Sequence, residues 1–130
     1  MRFQSTKEIG DFGERCAVNY LRLRGYTVKE RNLHIGHAEI DIIATTWHDI
    51  VFAEVKTRTY TEKTYQTAPP PGLAVNREKQ RLTRAAAIQY LQKHPTQKRP
   101  RMDVIEVWLQ KSENGGRPKV LKIHHIKAAY

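Results

Sequence analysis

Cysteine, long apolar runs and negative charge are all scarce in this 130-residue chain. Its one cysteine, Cys16, excludes an internal disulfide, because a disulfide needs two thiols. No apolar run approaches the roughly 20 residues that a membrane-spanning helix needs. The first residues, MRFQSTKEIG, also lack the apolar stretch of a signal peptide. These absences predict a cytoplasmic protein that has no membrane partner.

The charge balance of the chain is strongly basic. Lysine and arginine number 23 against 13 aspartate and glutamate residues, which gives a net charge of +10 at pH 7. That excess predicts a polyanionic partner, most often nucleic acid, although small basic proteins are also common without one. Hydrophobic residues make up 39% of the 130 positions, which is enough for one core, so we expect a single domain over residues 1–130.

Two amphipathic helices are predicted. Apolar residues recur at helical spacing between Ile9 and Leu23, and Gly25 is a natural stop for that helix. Asn76 is the expected cap of the second helix, over 77–93, which ends before a proline. The apolar residues expected on the buried side of the second helix are Ala85, Ala86, Ile88 and Leu91.

Five strands are predicted, three before the second helix and two after it. They cover the segments 26–32, 39–44, 50–57, 102–109 and 120–126. β-Branched residues are dense in 39–44 and 50–57, whereas the polar content of 26–32 predicts an edge or solvent-exposed strand. The segment 57–75 holds a triple proline and is predicted to be a mobile loop over a functional face. The order predicts an α/β fold with a mixed central sheet flanked by helices on both faces.

Three charged residues lie inside the two most apolar strands. Glu54 and Lys56 share one face of their strand, roughly 7 Å apart, because side chains alternate. One hairpin register sets Asp41 beside Glu54, and two adjacent carboxylates repel unless a cation lies between them. We therefore expect a metal held by Asp41, Glu54 and the carbonyl of Val55. Mg²⁺ is the expected ion and Mn²⁺ a substitute, because all the ligands are oxygens.

Lys56 has two alternative interpretations. Beside a metal it would orient a water, lower the pKa of that water or hold the phosphate during phosphodiester hydrolysis. On an edge strand, Glu54 and Lys56 would instead be an ordinary surface ion pair. The surrounding Ile, Val and Phe residues favour a central strand, where charges are costly, and so favour the catalytic interpretation.

Three stretches of the chain resemble the YraN-like family of predicted endonucleases: GDFGERCAVNYLRLRGYTV, AEIDIIA and VFAEVKTR. That family is similar to the PD-(D/E)XK nucleases and, among them, to archaeal Holliday-junction resolvases. The resemblance covers the chain from Gly10 to about Val107. It implies a restriction-endonuclease-like αβββαβ core, to which the last predicted strand is an extra C-terminal addition.

The resemblance also implies roles for particular residues. Asp41, Glu54 and Lys56 match the family's acid–acid–lysine pattern, and Glu14 matches the first-helix glutamate of resolvase-like members. Glu14 would then complete the metal or water shell. Ala38 stands where the family usually has glycine, so we expect a local loop adjustment. The implied activity is that of a metal-dependent endonuclease on DNA, including branched or structured DNA, and two facing sites would need a symmetric dimer.

Basic residues near these motifs are predicted to contact phosphates, which sets affinity rather than sequence preference. Three of them share one face of the second helix, and the others flank the strands: Arg77, Arg81, Arg84, Arg58, Lys98, Arg99 and Arg101. For the helix alone, a solvated surface is an equally good interpretation. For the whole chain, the alternatives are a nucleic-acid-binding module without catalysis and a partner subunit of another enzyme.

Overall fold

The computed structural model describes residues 5–61 and 76–130, and its elements follow the predicted order. They are α1 (Thr6–Leu23), β1 (Thr27–Ile35), β2 (Ala38–Thr45), β3 (Asp49–Tyr60), α2 (Arg77–Lys93), β4 (Arg99–Gln110) and β5 (Lys119–Ile126). The predicted αβββαβ core with an extra C-terminal strand is confirmed. None of the described helices is long and apolar enough to cross a membrane.

Both helices begin at side-chain caps, and the predicted cap Asn76 is confirmed. The Ser5 hydroxyl accepts a hydrogen bond from the Glu8 N–H at 3.0 Å, and the Asn76 side chain accepts one from the Lys79 N–H at 2.8 Å. Each bond satisfies an N–H group that the first helical turn leaves without a partner. Gly25 follows α1 with φ +87°, a left-handed conformation that glycine adopts without strain.

The five strands form one mixed sheet in the order β1-β2-β3-β4-β5. The β3–β4 pair is parallel and the other pairs are antiparallel. A parallel pair needs a crossover connection, and α2 lies in that connection. The strand that carries Glu54 and Lys56 is therefore in the middle of the sheet, as predicted, and β1 and β5 are the edges.

The two helices cover opposite faces of the sheet. On one face, α1 packs on Ile42, Ala44, Val51, Ala53, Ile105, Val107 and Leu109. On the other face, α2 packs on Ile40, Ile43, Ile50, Phe52 and Met102. Burial of these apolar side chains on both sides of β3 makes an unpaired charge costly there.

The buried side of α2 differs from the prediction. Thr83, Ala86, Ala87 and Tyr90 are the buried residues, whereas Ala85 is exposed and Ile88 is 57% exposed. Residues 85–88 are all apolar, so their spacing does not select one face. The Tyr90 ring decides the orientation by packing edge-on against Phe52, with ring centroids 5.9 Å apart.

The predicted loop over 57–75 begins later than expected. β3 continues to Tyr60, because Thr57 to Tyr60 pair in register with Val107 to Gln110 of β4. Residues 62–75 lie outside the described part of the chain, so the rest of that prediction stays untested.

Gly13 is a point of close packing between α1 and β3. A Cβ on Gly13 would lie 2.9 Å from Thr57 Cγ2, which is closer than real Cβ atoms approach. Gly13→Ala is therefore expected to lower the free energy of unfolding by about 1–3 kcal/mol through overpacking. Urea denaturation measures this change.

Gly10 is the matched control on the same helix. Among the described residues, nothing lies within 4 Å of a Cβ built there. Gly10→Ala is thus expected to stabilise the protein by up to about 1 kcal/mol, since alanine is the better helix former. Equal effects of the two substitutions would contradict the close packing of α1 on Thr57.

Candidate active site

The site lies where β2 separates from β3. Pairing runs from Thr45↔Ile50 to Ile42↔Ala53 and ends there. Extending this register by one residue sets Asp41 against Glu54, as the sequence analysis predicted. At that position a side chain replaces the backbone ladder, because Asp41 Oδ2 accepts a hydrogen bond from the Val55 N–H at 2.8 Å.

The regular alternation of β2 side chains between the two faces of the sheet is also interrupted at Asp41. Ile40 belongs to the cluster under α2, whereas Ile42 belongs to the cluster under α1. The prediction that Ile40 and Ile42 share a face is therefore wrong. The Asp41 carboxylate lies where the pairing of β2 with β3 ends.

Glu54 is a buried carboxylate on the α2 face of β3, with 7% of the residue exposed. Its Oε1 atom accepts hydrogen bonds from Lys79 of α2 and lies 3.2 Å from Lys56 Nζ. Its Oε2 atom is buried and has no hydrogen-bond partner within the described residues. Burial acts to lower the pKa of Lys79, but the hydrogen bond and charge of Glu54 outweigh it and raise that pKa.

Glu14 reaches the same region from α1. Its side chain is 12% exposed, and Arg31 Nη2 lies 3.7 Å from its Oε1 atom. That oxygen is buried and, in the part of the chain that the structure describes, accepts no hydrogen bond. Burial raises the pKa of Glu14 despite the opposing effects of Arg31 and Asn32.

Burial and neighbouring negative charge perturb the Asp41 carboxyl group most clearly. Burial raises the pKa of Asp41 to about 6, against the hydrogen bond from Val55, and the charges of Glu14, Glu54 and Glu39 add to the rise. Carboxylates that hinder one another's ionisation in this way are stabilised by a cation between them. The arrangement is therefore suited to a positively charged ligand.

A cleft of about 650 Å³ opens beside Asp41. It is bounded by α1, β2, β3 and the connection between β4 and β5. The residues that line it include Lys7, Glu14, Asp41, Val55, Lys56, Thr57, Thr59 and Lys111. The structure thus brings together four of the predicted site residues, namely Glu14, Asp41, Val55 and Lys56. Glu54 does not line the cleft, but it pairs with Lys56, which does.

The donor atoms fit a hard divalent cation. All are oxygens, and Glu14 and Glu54 each have a buried carboxylate oxygen without a hydrogen-bond partner among the described residues. Within residues 5–61 and 76–130, however, no three His, Cys, Asp or Glu side chains converge closely enough to hold a metal ion. Both lysines that pair with Glu54 contact its Oε1 atom, Lys56 from β3 and Lys79 from α2.

The predicted phosphate contacts fall into two groups, and the first group lies on the α2 side of the sheet. Arg58 Nε donates to the buried carboxylate of Glu106 at 2.9 Å. Arg81 pairs with Glu78 on the exposed side of α2, and Arg84 lies over the ring of Tyr130. Arg77 is the exposed first residue of α2.

The second group lies towards the opposite end of β3. Arg99 pairs in register with Asp49, five positions or about 17 Å along the strand from Glu54. Arg99 and Arg101 both donate to Asp49 at 3.0 Å, and Lys98 Nζ donates to the Thr46 carbonyl at 2.7 Å. The structure therefore does not bring these three residues to the cleft.

The sequence analysis missed Lys79. The fold topology could have pointed to Lys79, because a crossover helix packs back over the strand that precedes it. The first turn of α2 lies over β3, where Lys79 contacts Glu54. Lys79 is in that first turn, three residues after the Asn76 cap.

Comparisons with known proteins give one consistent result. The model of a family described as "Uncharacterised protein family UPF0102" matches residues 13–107. A UPF0102 protein of Caldanaerobacter subterraneus subsp. tengcongensis is 34% identical over 130 residues, which is 100% of both chains. One of Clostridioides difficile is 36% identical over 127 residues, or 97% of this chain and 99% of that one. One of Alkaliphilus oremlandii is 39% identical over 127 residues, which is 95% of this chain and 98% of that one.

Proposed function

The chain belongs to the uncharacterised protein family UPF0102, and from the geometry of its cleft we propose that it is a metal-dependent endonuclease that hydrolyses DNA. One observation carries the proposal. Glu14 and Glu54 each have a buried carboxylate oxygen without a hydrogen-bond partner within the described residues, and Lys56 lies 3.2 Å from the other oxygen of Glu54. Burying such groups is costly, so their retention favours a ligand that satisfies them.

The proposed metal ligands are Asp41, Glu54, Glu14 and the Val55 carbonyl. A bound Mg²⁺ or Mn²⁺ would supply charge neutralisation at the phosphate and a more acidic water. Asp41 is held at the strand opening by the Val55 N–H, so its second oxygen is available to a ligand. Lys56, which lies 3.2 Å from Glu54, would donate to a phosphate oxygen or orient the attacking water.

The cleft also offers contacts for the nucleic-acid backbone. Lys7 and Lys111 line it at a distance from the carboxylates, and Thr57 and Thr59 supply hydroxyl groups on β3. Lysines and hydroxyl groups bind phosphate oxygens without reading the base sequence. Together with the net charge of +10, they support a polyanionic substrate. The resemblance to resolvases extends the proposal to branched DNA and to a symmetric dimer.

A nucleic-acid-binding module without catalysis is the second candidate. The ion pairs of Glu54 with two lysines favour it, because they satisfy one carboxylate oxygen without any metal. Both candidates predict DNA binding that weakens as salt rises. They differ in turnover, since only the endonuclease needs both a metal and Lys56.

Cleavage of a panel of DNA shapes separates the two candidates. Labelled duplex, single-stranded, flapped and four-way DNA would be incubated with the wild type and Lys56→Ala, in Mg²⁺, Mn²⁺ or EDTA. We expect metal-dependent cleavage that EDTA stops and that Lys56→Ala reduces by about 100-fold or more. DNA binding without cleavage in any condition would contradict the proposal and favour the binding module. Weak binding together with a co-purifying protein would favour a partner subunit.

A further inference from the structure

Two ammonium groups from different elements share one oxygen of Glu54. Lys56 comes from the same strand, and Lys79 reaches down from the first turn of α2. A single carboxylate needs only one positive charge for neutrality, so one of the two lysines is in excess at Glu54. This excess is the starting point of the inference.

We propose that Lys79 holds the place of the divalent cation at Glu54 and moves to a backbone phosphate of the DNA when the cation binds. This inference rests on the proposed function. It adds to that function a positioning residue from α2 that couples metal binding to substrate binding.

The geometry selects Lys79 as the lysine that moves. Its side chain is 46% exposed, against 33% for Lys56, so it can turn into solvent with less loss of packing. Its backbone is fixed, because its N–H donates to the Asn76 cap at 2.8 Å. The four-carbon stem of lysine is flexible enough for the ammonium group to change partners while the backbone stays in place.

The charges of the site agree with this exchange. Glu14, Asp41 and Glu54 carry three negative charges, and Arg31, Lys56 and Lys79 carry the three positive charges of the adjoining ion pairs. A divalent cation adds two positive charges to this balanced set. A phosphodiester brings one negative charge, and a second develops as the water attacks. Lys79, released from Glu54, would then be available to that phosphate.

Removing the Lys79 charge should therefore have opposite effects on the two ligands. Lys79→Gln is expected to tighten Mn²⁺ binding by about tenfold, because a competing cation at Glu54 is gone. The same substitution is expected to weaken binding of non-hydrolysable phosphorothioate DNA by about tenfold in Ca²⁺, which also takes oxygen ligands. In EDTA the loss should be small, because Lys79 is then held on Glu54.

Calorimetric titration of Mn²⁺ and DNA-binding titrations in Ca²⁺ or EDTA test these effects. Lys79→Arg keeps the charge and should bind Mn²⁺ like the wild type. Lys93→Gln removes a charge from the exposed last turn of α2 and should change neither Mn²⁺ affinity nor the ratio of DNA affinities in Ca²⁺ and EDTA. A melting curve for each variant shows that it is folded.

The outcomes separate this inference from the proposed function. Tighter Mn²⁺ binding by Lys79→Gln, even where the wild type binds too weakly to measure, supports the exchange. If the wild type binds Mn²⁺ and Lys79→Gln binds it equally or more weakly, the exchange is overturned. The proposed metal site is then still supported. Absence of Mn²⁺ binding in both proteins would overturn both.

Discussion

Asp41→Asn is expected to abolish most of the cleavage activity and, without metal, to make the protein more stable. Activity should fall on the order of 10³-fold, because the amide is a much weaker ligand for a divalent cation than the carboxylate. Stability in EDTA should rise by about 1–3 kcal/mol, because the substitution removes a buried charge whose pKa is raised to about 6. The amide oxygen still accepts the hydrogen bond from Val55.

The pH dependence of the free energy of unfolding is a second test of the raised pKa of Asp41. Asp41 has a higher pKa in the folded protein than its ordinary value of 3.8, so the folded state binds more protons between those two values. Its contribution to stability is full below about pH 4 and is lost as the pH rises through about 6. In EDTA, the wild type should therefore lose stability between pH 5 and pH 7.5, and Asp41→Asn should lose less.

Glu113→Gln is the matched control for Asp41→Asn. Glu113 is an exposed carboxylate in the connection between β4 and β5, and its removal changes the net charge by the same amount. Its urea midpoint in EDTA and its cleavage rate should stay close to those of the wild type. If Asp41→Asn were less stable than the wild type at pH 7.5, the account of a costly buried carboxylate would be wrong.

Asp103→Asn is expected to cause the largest loss of stability, about 3–5 kcal/mol. Asp103 is fully buried on β4, and its carboxylate accepts two hydrogen bonds from Arg101, both at 2.8 Å. It also accepts hydrogen bonds from His125 Nε2 at 2.6 Å and from the Ala128 N–H at 3.0 Å. Removing its charge leaves the largely buried Arg101 with Asp49, at 3.0 Å, as its one acidic partner among the described residues.

Acid titration gives a second readout for Asp103. Burial acts to raise the pKa of Asp103, but the hydrogen bonds from His125, Arg101 and Ala128 outweigh it and hold that pKa below its ordinary value. Its stabilisation is therefore present above about pH 4 and is lost as the pH falls through the lowered folded-state pKa. Asp103→Asn should accordingly show a weaker dependence of stability on pH in acid.

Urea denaturation at pH 7.5 measures the loss, with Glu78→Gln as the control. Glu78 also pairs with an arginine, Arg81, but both side chains are 66% exposed. Solvent screens such a pair, so its removal should hardly move the urea midpoint. A similar midpoint for the two variants would show that the Asp103 network contributes little beyond a surface ion pair.

The elements were predictable because their patterns are local. Dense β-branched residues placed β2, β3 and β4, and apolar residues at helical spacing with the Asn76 cap placed the helices. The different faces of Ile40 and Ile42 were not visible, because Ile40, Ile42 and Ile43 are all apolar and fit either face of the sheet. The orientation of α2 was not visible either, because four consecutive apolar residues carry no helical periodicity.

The candidate site residues stand out in the sequence, whereas their contacts with one another do not. Asp41, Glu54 and Lys56 are charged residues within apolar strands. A single sequence is enough to show this pattern. The pairing of Glu54 with Lys79 joins positions that are 25 residues apart, so it depends on how the crossover helix packs. Arg99 and Arg101 are basic in sequence, yet their acidic partners on β3 and β4 become evident only once the strands are in register.

The central claim is that the buried carboxylates of Glu14, Asp41 and Glu54 hold a divalent cation. Calorimetric titration of Mn²⁺ into the metal-free wild type and into Asp41→Asn at pH 7.5 tests it most directly. The account predicts saturable binding by the wild type and affinity at least about tenfold weaker in Asp41→Asn. Equal affinity in the two proteins, or the absence of saturable binding by both the wild type and Lys79→Gln, would contradict it.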